Sequence, residues 1–322
     1  MLTQVHELEG IGLTHHSIDS DGCPIHVVEA GEGPAVVLCH GFPEFWMSWR
    51  RQIPALANAG YRVLALDLRG HGESGCPEDL IDYSVLHTVG DVIAVLDHLG
   101  IVRATIVGHD AGTTTAYHAA LMRPDRINGV FGLSVAYVPR GPLSLIDGIR
   151  MMAPPEHYIL YFQEPGVAEA ELDGNVREFL RRIIYGNSGR HEGGPIAMMA
   201  MGGTLIPNLP EAPDSIDFLP DDELDLFVEA FEHTGFRSGI NGYRVFGLNW
   251  DLTSPWSGAD LPVDSAYMGG NLDTVLTMPG QRAAAEAMGS ASFIDGVGHF
   301  IHAEAPDVVN AELLRFLASR RV

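Results

Sequence analysis

Residues 108–114 read Gly-His-Asp-Ala-Gly-Thr-Thr, and the frame Gly108-His109-Asp110-Ala111-Gly112 sets a carboxylate at the centre of a small-residue turn. An apolar run (104–107) precedes it and a helical stretch follows, the setting in which G-x-nucleophile-x-G forms a strained strand-to-helix elbow that glycines permit. An aspartate that merely caps the next helix is the plain alternative. Capping alone does not require small residues on both sides. A carboxylate is ionised at neutral pH and needs no base to activate it. Its attack on an ester or amide gives a mixed anhydride, an uphill product. Its attack on an sp³ carbon bearing a leaving group gives a stable alkyl ester. The residue type therefore points to epoxides or alkyl halides and away from esters and peptides.

An alkyl ester needs activated water to release it. Of the fifteen histidines, His299 in Gly-Val-Gly-His-Phe (296–300) is the one that fits the chain order nucleophile, acid, histidine. Asp273, in the Gly-Gly-Asn-Leu-Asp stretch after an apolar run (263–268), is the expected acid that orients the imidazole and stabilises its cation. Asp264 is the weaker rival because it falls at the start of that run. Upstream, His-Gly-Phe-Pro-Glu (40–44) follows the first apolar run and can aim the Phe42 N–H at a developing oxyanion, paired with the N–H of Ala111. The Phe-Pro bond there suits a cis turn.

These groups need a scaffold that brings residues 42, 110, 273 and 299 to one place. Continuously hydrophobic runs at 35–39, 62–67 and 104–108 read as parallel strands covered on both faces. Helical spacing at 49–60 and 87–100, each ending on glycine, fills the connections. Residues 11–30 alternate and suit an antiparallel edge. The sum is a doubly wound α/β sheet, mostly parallel. After Val135 the rhythm stops. Helix-like patterns at 167–186 and 221–236 and a proline-rich loop at 205–220 follow, and strand-like runs return at 263–270 and 291–296 before a closing helix from Pro306. The expected division is a core of 1–136 and 255–322, interrupted by a helical lid over 137–254.

Longer stretches carry a resemblance. "HGFPEFWMSWRRQIPALANAGYRVLALDLRGHGES" (40–74), "VGHDAG" (107–112), "YILYFQEPGVAEAEL" (158–172), "GFRSGINGYR" (235–244) and "GVGHF" together resemble the soluble epoxide hydrolases of the α/β-hydrolase fold over nearly the whole chain. The resemblance implies Asp110 as nucleophile, with His299 and Asp273 as its histidine and acid. It also implies two lid tyrosines, Tyr158 and Tyr243, that hydrogen-bond the epoxide oxygen. Nothing in composition or spacing selects those two over Tyr137, Tyr161 or Tyr185. The chemistry does demand such donors, because a departing alkoxide is a poor leaving group unless it is hydrogen-bonded. One departure stands out: many members carry tryptophan after the nucleophile, where this chain has Ala111, so the pocket's shape is expected to differ.

Dehalogenases share the Asp–His–acid logic and are the nearest alternative, but the haloalkane and haloacetate enzymes resemble "HDWG" and "HDRG", and Ala111 supplies neither device. A hydrolase-fold protein that only binds a ligand is the other alternative, and it has no need of all three triad groups. The remaining composition narrows the partners. A net charge of −23 disfavours nucleic acid and anionic membranes. Three cysteines without C-x-x-C spacing indicate reduced thiols, and no cofactor or metal is implied. MLTQVHELEG lacks the basic and apolar segments of a secretory leader, so a cytoplasmic protein is expected, with an epoxide and water as its partners.

Overall fold

The structure is a computed structural model that describes residues 5–320. The first four residues and the last two lie outside the described residues, so the expectation of a closing helix reaching Arg321 falls partly outside them. Two short strands, β1 (Glu7–Leu8) and β2 (Ile11–Gly12), form a small antiparallel ribbon. The main sheet is built from β3 (Thr14–Ser20), β4 (Cys23–Ala30), β5 (Ala35–Cys39), β6 (Arg62–Leu66), β7 (Ala104–His109), β8 (Ile127–Leu133), β9 (Asp264–Gly270) and β10 (Ala291–Ile294). Its order is β10-β9-β8-β7-β5-β6-β4-β3. The strands from β6 to β10 run parallel, while β3 and β4 form the expected antiparallel edge.

Side-chain alternation along the strands feeds two cores. Val36 and Leu38 of β5 face one side with Ile53 and Leu56 of α1 (Gln52–Asn58) and Val309, Leu313 and Leu317 of α13 (Pro306–Ala318). Val37 and Cys39 face the other side with Val89, Val92 and Leu96 of α2 (Val85–His98) and Ala116, Ala119 and Ala120 of α3 (Ala111–Met122). The apolar runs are continuous because both faces are covered. The strand register brings Cys39 opposite Gly108, His109 opposite Leu133, and Gly270 opposite Ile294, so the C-terminal ends of the parallel strands form one rim.

Between β8 and β9 lie α4 (Leu145–Met152), α5 (Tyr158–Tyr161), α6 (Val167–Leu172), α7 (Val176–Gly186), α8 (Asp221–Thr234), α9 (Arg237–Arg244) and α10 (Phe246–Leu252). The pattern read as one helix over 167–186 is two helices. The break falls at Asp173-Gly174-Asn175, where an Asp-Gly step favours a turn, and the Asp173 carboxylate there accepts the Phe236 N–H at 2.9 Å. The face expected to be apolar is nonetheless buried, with Leu172, Val176, Phe179, Leu180 and Ile183 all packed in the core. After β9 the chain adds α11 (Gln281–Ala287) and α12 (Ile301–Glu304). Among the described residues no helix is long and apolar enough to cross a membrane.

Candidate active site

Asp110 is the hinge between β7 and α3, at φ 47° and ψ −121°. A non-glycine residue at positive φ costs about 1–3 kcal/mol and persists only where its surroundings enforce it. The enforcement is steric. A Cβ on Gly112 would stand 2.2 Å from the Cys39 carbonyl oxygen and 2.3 Å from that of His40. A Cβ on Gly108 would stand 2.6 Å from Thr113 Cα. The small residues flanking the aspartate are what let α3 approach β5, and a helix cap alone would not need them.

The turn lifts the carboxylate into a cavity of about 460 Å³. Its Oδ1 accepts the Phe42 N–H at 3.1 Å, and the Ala111 N–H bonds the carboxylate from the other side. The Phe42–Pro43 bond is cis. Both backbone donors expected for an oxyanion therefore converge on Asp110. Burial opposes its charge, but the hydrogen bond and charge of His299 hold its pKa below the usual value.

His299 Nε2 lies 3.3 Å from Asp110 Oδ2, and Nδ1 lies 3.0 and 3.1 Å from the two oxygens of Asp273. Asp273 is wholly buried, and its Oδ1 also accepts the Val275 N–H at 2.8 Å. The rival Asp264 is exposed and pairs with Arg320 at 3.1 Å. Burial disfavours the His299 cation. Asp273 and then Asp110 outweigh it and raise the imidazole's pKa well above its ordinary value.

Tyr158 and Tyr243 line the same cavity as Asp110 and His299, their ring centroids 6.0 Å apart. Burial, with Asp110 adding its charge, pushes both phenols up, so each stays a proton donor. The tyrosines that composition left open are committed elsewhere. Tyr161 donates to Glu171 at 2.6 Å and Tyr137 to the Ala259 carbonyl at 2.6 Å, while Tyr185 lies outside the cavity lining. Ala111 is placed differently from expectation. Its side chain does not line this cavity but faces a second one, beyond Phe42 and Tyr243.

A buried cluster that the sequence reading passed over supports these groups. Glu44 accepts the Gly41 N–H at 2.7 Å and bonds His109 Nδ1 at 2.7 Å and His302 Nε2 at 3.1 Å. Burial works against the Glu44 charge, yet His109 and His302 hold its carboxyl well below the usual range. His109 Nε2 in turn meets the His299 carbonyl at 2.9 Å, where Ser134 Oγ also donates at 2.5 Å. Glu44, His109 and His302 all fall inside or beside quoted motifs, and that proximity was the available signal.

The described geometry has counterparts in known proteins. Residues 34–306 match the alpha/beta hydrolase fold family. Epoxide hydrolase A of Mycobacterium tuberculosis is 40% identical over 312 residues, spanning 94% of this chain and 97% of that one. The chain belongs to the epoxide hydrolase family. Epoxide hydrolase 2 of Siraitia grosvenorii is 36% identical over 317 residues, covering 95% of this chain and 98% of its own. A solved structure of a Vigna radiata epoxide hydrolase mutant superposes with a TM-score of 0.90 at 33% identity, over 95% of this chain and 99% of that one. Membership fits the sheet order, the aspartate elbow and the helical segment inserted between β8 and β9.

Proposed function

We propose that this protein hydrolyses epoxides to vicinal diols through an alkyl ester on Asp110, with 137–254 acting as a lid on a core of 1–136 and 255–322. The observation that carries the reading is one imidazole held between two carboxylates, at 3.3 Å from Asp110 and 3.0 Å from Asp273, in a cavity that the Tyr158 and Tyr243 side chains also line. Asp110 Oδ2 attacks an oxirane carbon, the C–O bond breaks, and the departing alkoxide takes hydrogen bonds from Tyr158 and Tyr243. Oδ1, already beside the Phe42 and Ala111 N–H groups, becomes the ester carbonyl oxygen.

Alkylation cancels the Asp110 charge. One of the two anions that keep His299 protonated is thereby removed, the imidazolium proton passes to the alkoxide, and the now neutral imidazole, still oriented by Asp273, becomes a base. It takes a proton from water as the water oxygen bonds to the ester carbon. The backbone donors stabilise the oxyanion, and its collapse breaks the bond to Oδ2, which leaves in the diol with the proton held by His299 while the water oxygen stays in the enzyme.

Turning over limiting styrene oxide in ¹⁸O water is expected to label Asp110, with the first turnover releasing mostly unlabelled diol oxygen at the attacked carbon. His299→Gln is expected to accumulate substrate mass on the peptide that contains Asp110. Labelled diol from the first turnover without any adduct would instead make Asp110 a general base and overturn the covalent route.

A further inference from the structure

Where β8 ends, the backbone reverses within three residues. Ser134 sits at φ 68°, and the Val135 N–H closes the turn on the Leu133 carbonyl at 2.8 Å. A turn closed two residues apart around a residue at positive φ is the rare, strained form of the γ-turn. Glycine adopts such a conformation without strain, whereas serine keeps the strain and adds a hydroxyl. Ser134 is wholly buried, and its Oγ donates to the His299 carbonyl at 2.5 Å.

The turn joins the three segments that carry Asp110, Asp273 and His299. The Leu133 carbonyl that closes it also accepts the Asp110 N–H at 3.2 Å. The Ser134 N–H donates to the Met268 carbonyl at 2.9 Å, and the Ser134 carbonyl accepts the Tyr267 hydroxyl at 3.2 Å; both partners belong to β9, the strand that leads to Asp273. The serine hydroxyl reaches the third segment, the His299 loop. The reversal is what aims it there. Phe131 and Leu133 face one core and Val130 the other, so an extended residue 134 would continue toward the side of Val130. The His299 loop lies on the opposite side, with Val297 and Phe300 in the same core as Phe131 and Leu133.

This tether matters differently in the two chemical steps. Before alkylation the imidazole is held at both ends, by Asp273 at Nδ1 and by Asp110 Oδ2, 3.3 Å from Nε2. Once Asp110 is an ester, its charge no longer holds Nε2. The ring is then placed by Asp273 and by its own backbone, whose carbonyl is tied by Ser134 Oγ and His109 Nε2. Hydrolysis is the step in which Nε2 has to take a proton from water aimed at the ester carbon. Resting on the ester route proposed above, we infer that Ser134 is a positioning residue for that step. Its strained turn ties the histidine loop to the nucleophile elbow and to β9, and keeps the base aligned after the nucleophile has lost its charge.

Single-turnover mass spectrometry with styrene oxide reads the two steps separately, as the rise and the decay of the alkyl-enzyme. Ser134→Ala removes the hydroxyl and keeps the Cβ, while Ser134→Gly removes the hydroxyl and relieves the turn. In both, decay is expected to slow about ten- to a hundredfold, the scale of a misplacement of about 1 Å, while formation keeps the wild-type rate. The folded fraction changes the amplitude and not the rate constants, and the glycine variant carries the test alone if the alanine variant does not fold. Wild-type decay in either folded variant overturns the inference. Formation and decay slowed to the same extent overturn it too, because a merely structural turn would act on both. His299→Gln in the same experiment separates the two readings. No alkyl-enzyme in that variant removes the ester route and the positioning role together; an ester there, with wild-type release in the Ser134 variants, removes the positioning role alone.

Discussion

The sheet layer and the helical insertion meet at one cavity, but they hold their functional side chains by different means. On the sheet side, backbone contact fixes the position of Asp110. Gly112 and Gly108 allow no Cβ, and the strand register brings the ends of β5, β7, β8 and β9 level. On the insertion side, side chains do the fastening. The Glu171 carboxylate accepts from the Leu205 and Ile206 N–H groups and from Tyr161, Glu169 pairs with Arg244 at 2.7 Å, and Asp173 holds Phe236. Steric closure leaves a motif with invariant spacing. Side-chain stitching can be drawn from many residues, so it leaves no compact signature. The two layers therefore differ in how they respond to change.

The largest effect should come from the insertion's only proposed chemical contribution. Tyr158→Phe and Tyr243→Phe are each expected to slow enzyme alkylation about ten- to a thousandfold, and the double variant to be nearly inactive. Single-turnover measurement of the alkyl-enzyme checks this, and wild-type alkylation in the double variant would show that the insertion shapes the cavity without donating to the oxygen. Next comes the sheet side. Gly112→Ala drives a methyl to 2.2 Å from a backbone carbonyl and is expected to cost about 1–3 kcal/mol or more, read by urea unfolding. Full stability would mean that the elbow is not held by steric closure. The smallest effect should follow Glu171→Gln, which keeps one accepting oxygen where the carboxylate has two; a loss of about 1–2 kcal/mol is expected from the same unfolding measurement. A larger loss than for Gly112→Ala would reverse the comparison.

The same contrast explains what was legible. Runs such as 35–39 and 104–108 announced buried strands because each residue faces one core or the other, and residue type with chain order was enough to single out Asp110, Asp273 and His299 as a candidate set, which the fold brings within hydrogen-bonding reach of one another. The tyrosines did not stand out in that way. Their separation from Tyr161 and Tyr137 depends on hydrogen bonds made by the latter two to partners distant in the chain or placed by tertiary packing. The break in 167–186 does carry a local signal, Asp173-Gly174, but the apolar spacing that continues on both sides of it masks the turn. Ala111 was legible as a loss of bulk but not in direction: it lies past the wall formed by Phe42 and Tyr243, which periodicity cannot place.

The loop that carries His299 has one further neighbour. The His299 N–H donates to the Asn187 carbonyl at 2.8 Å, Glu304 takes the Gly189 and Gly298 N–H groups at 2.7 and 3.1 Å, and a Cβ on Gly298 would stand 2.3 Å from that same Asn187 oxygen. Two backbones in such contact cannot be inherited separately. Recombining this insertion with a sheet layer from a relative, or the reverse, carries the histidine loop across the junction, so chimaeras built for new selectivity have to take 187–189 and 296–304 from the same parent.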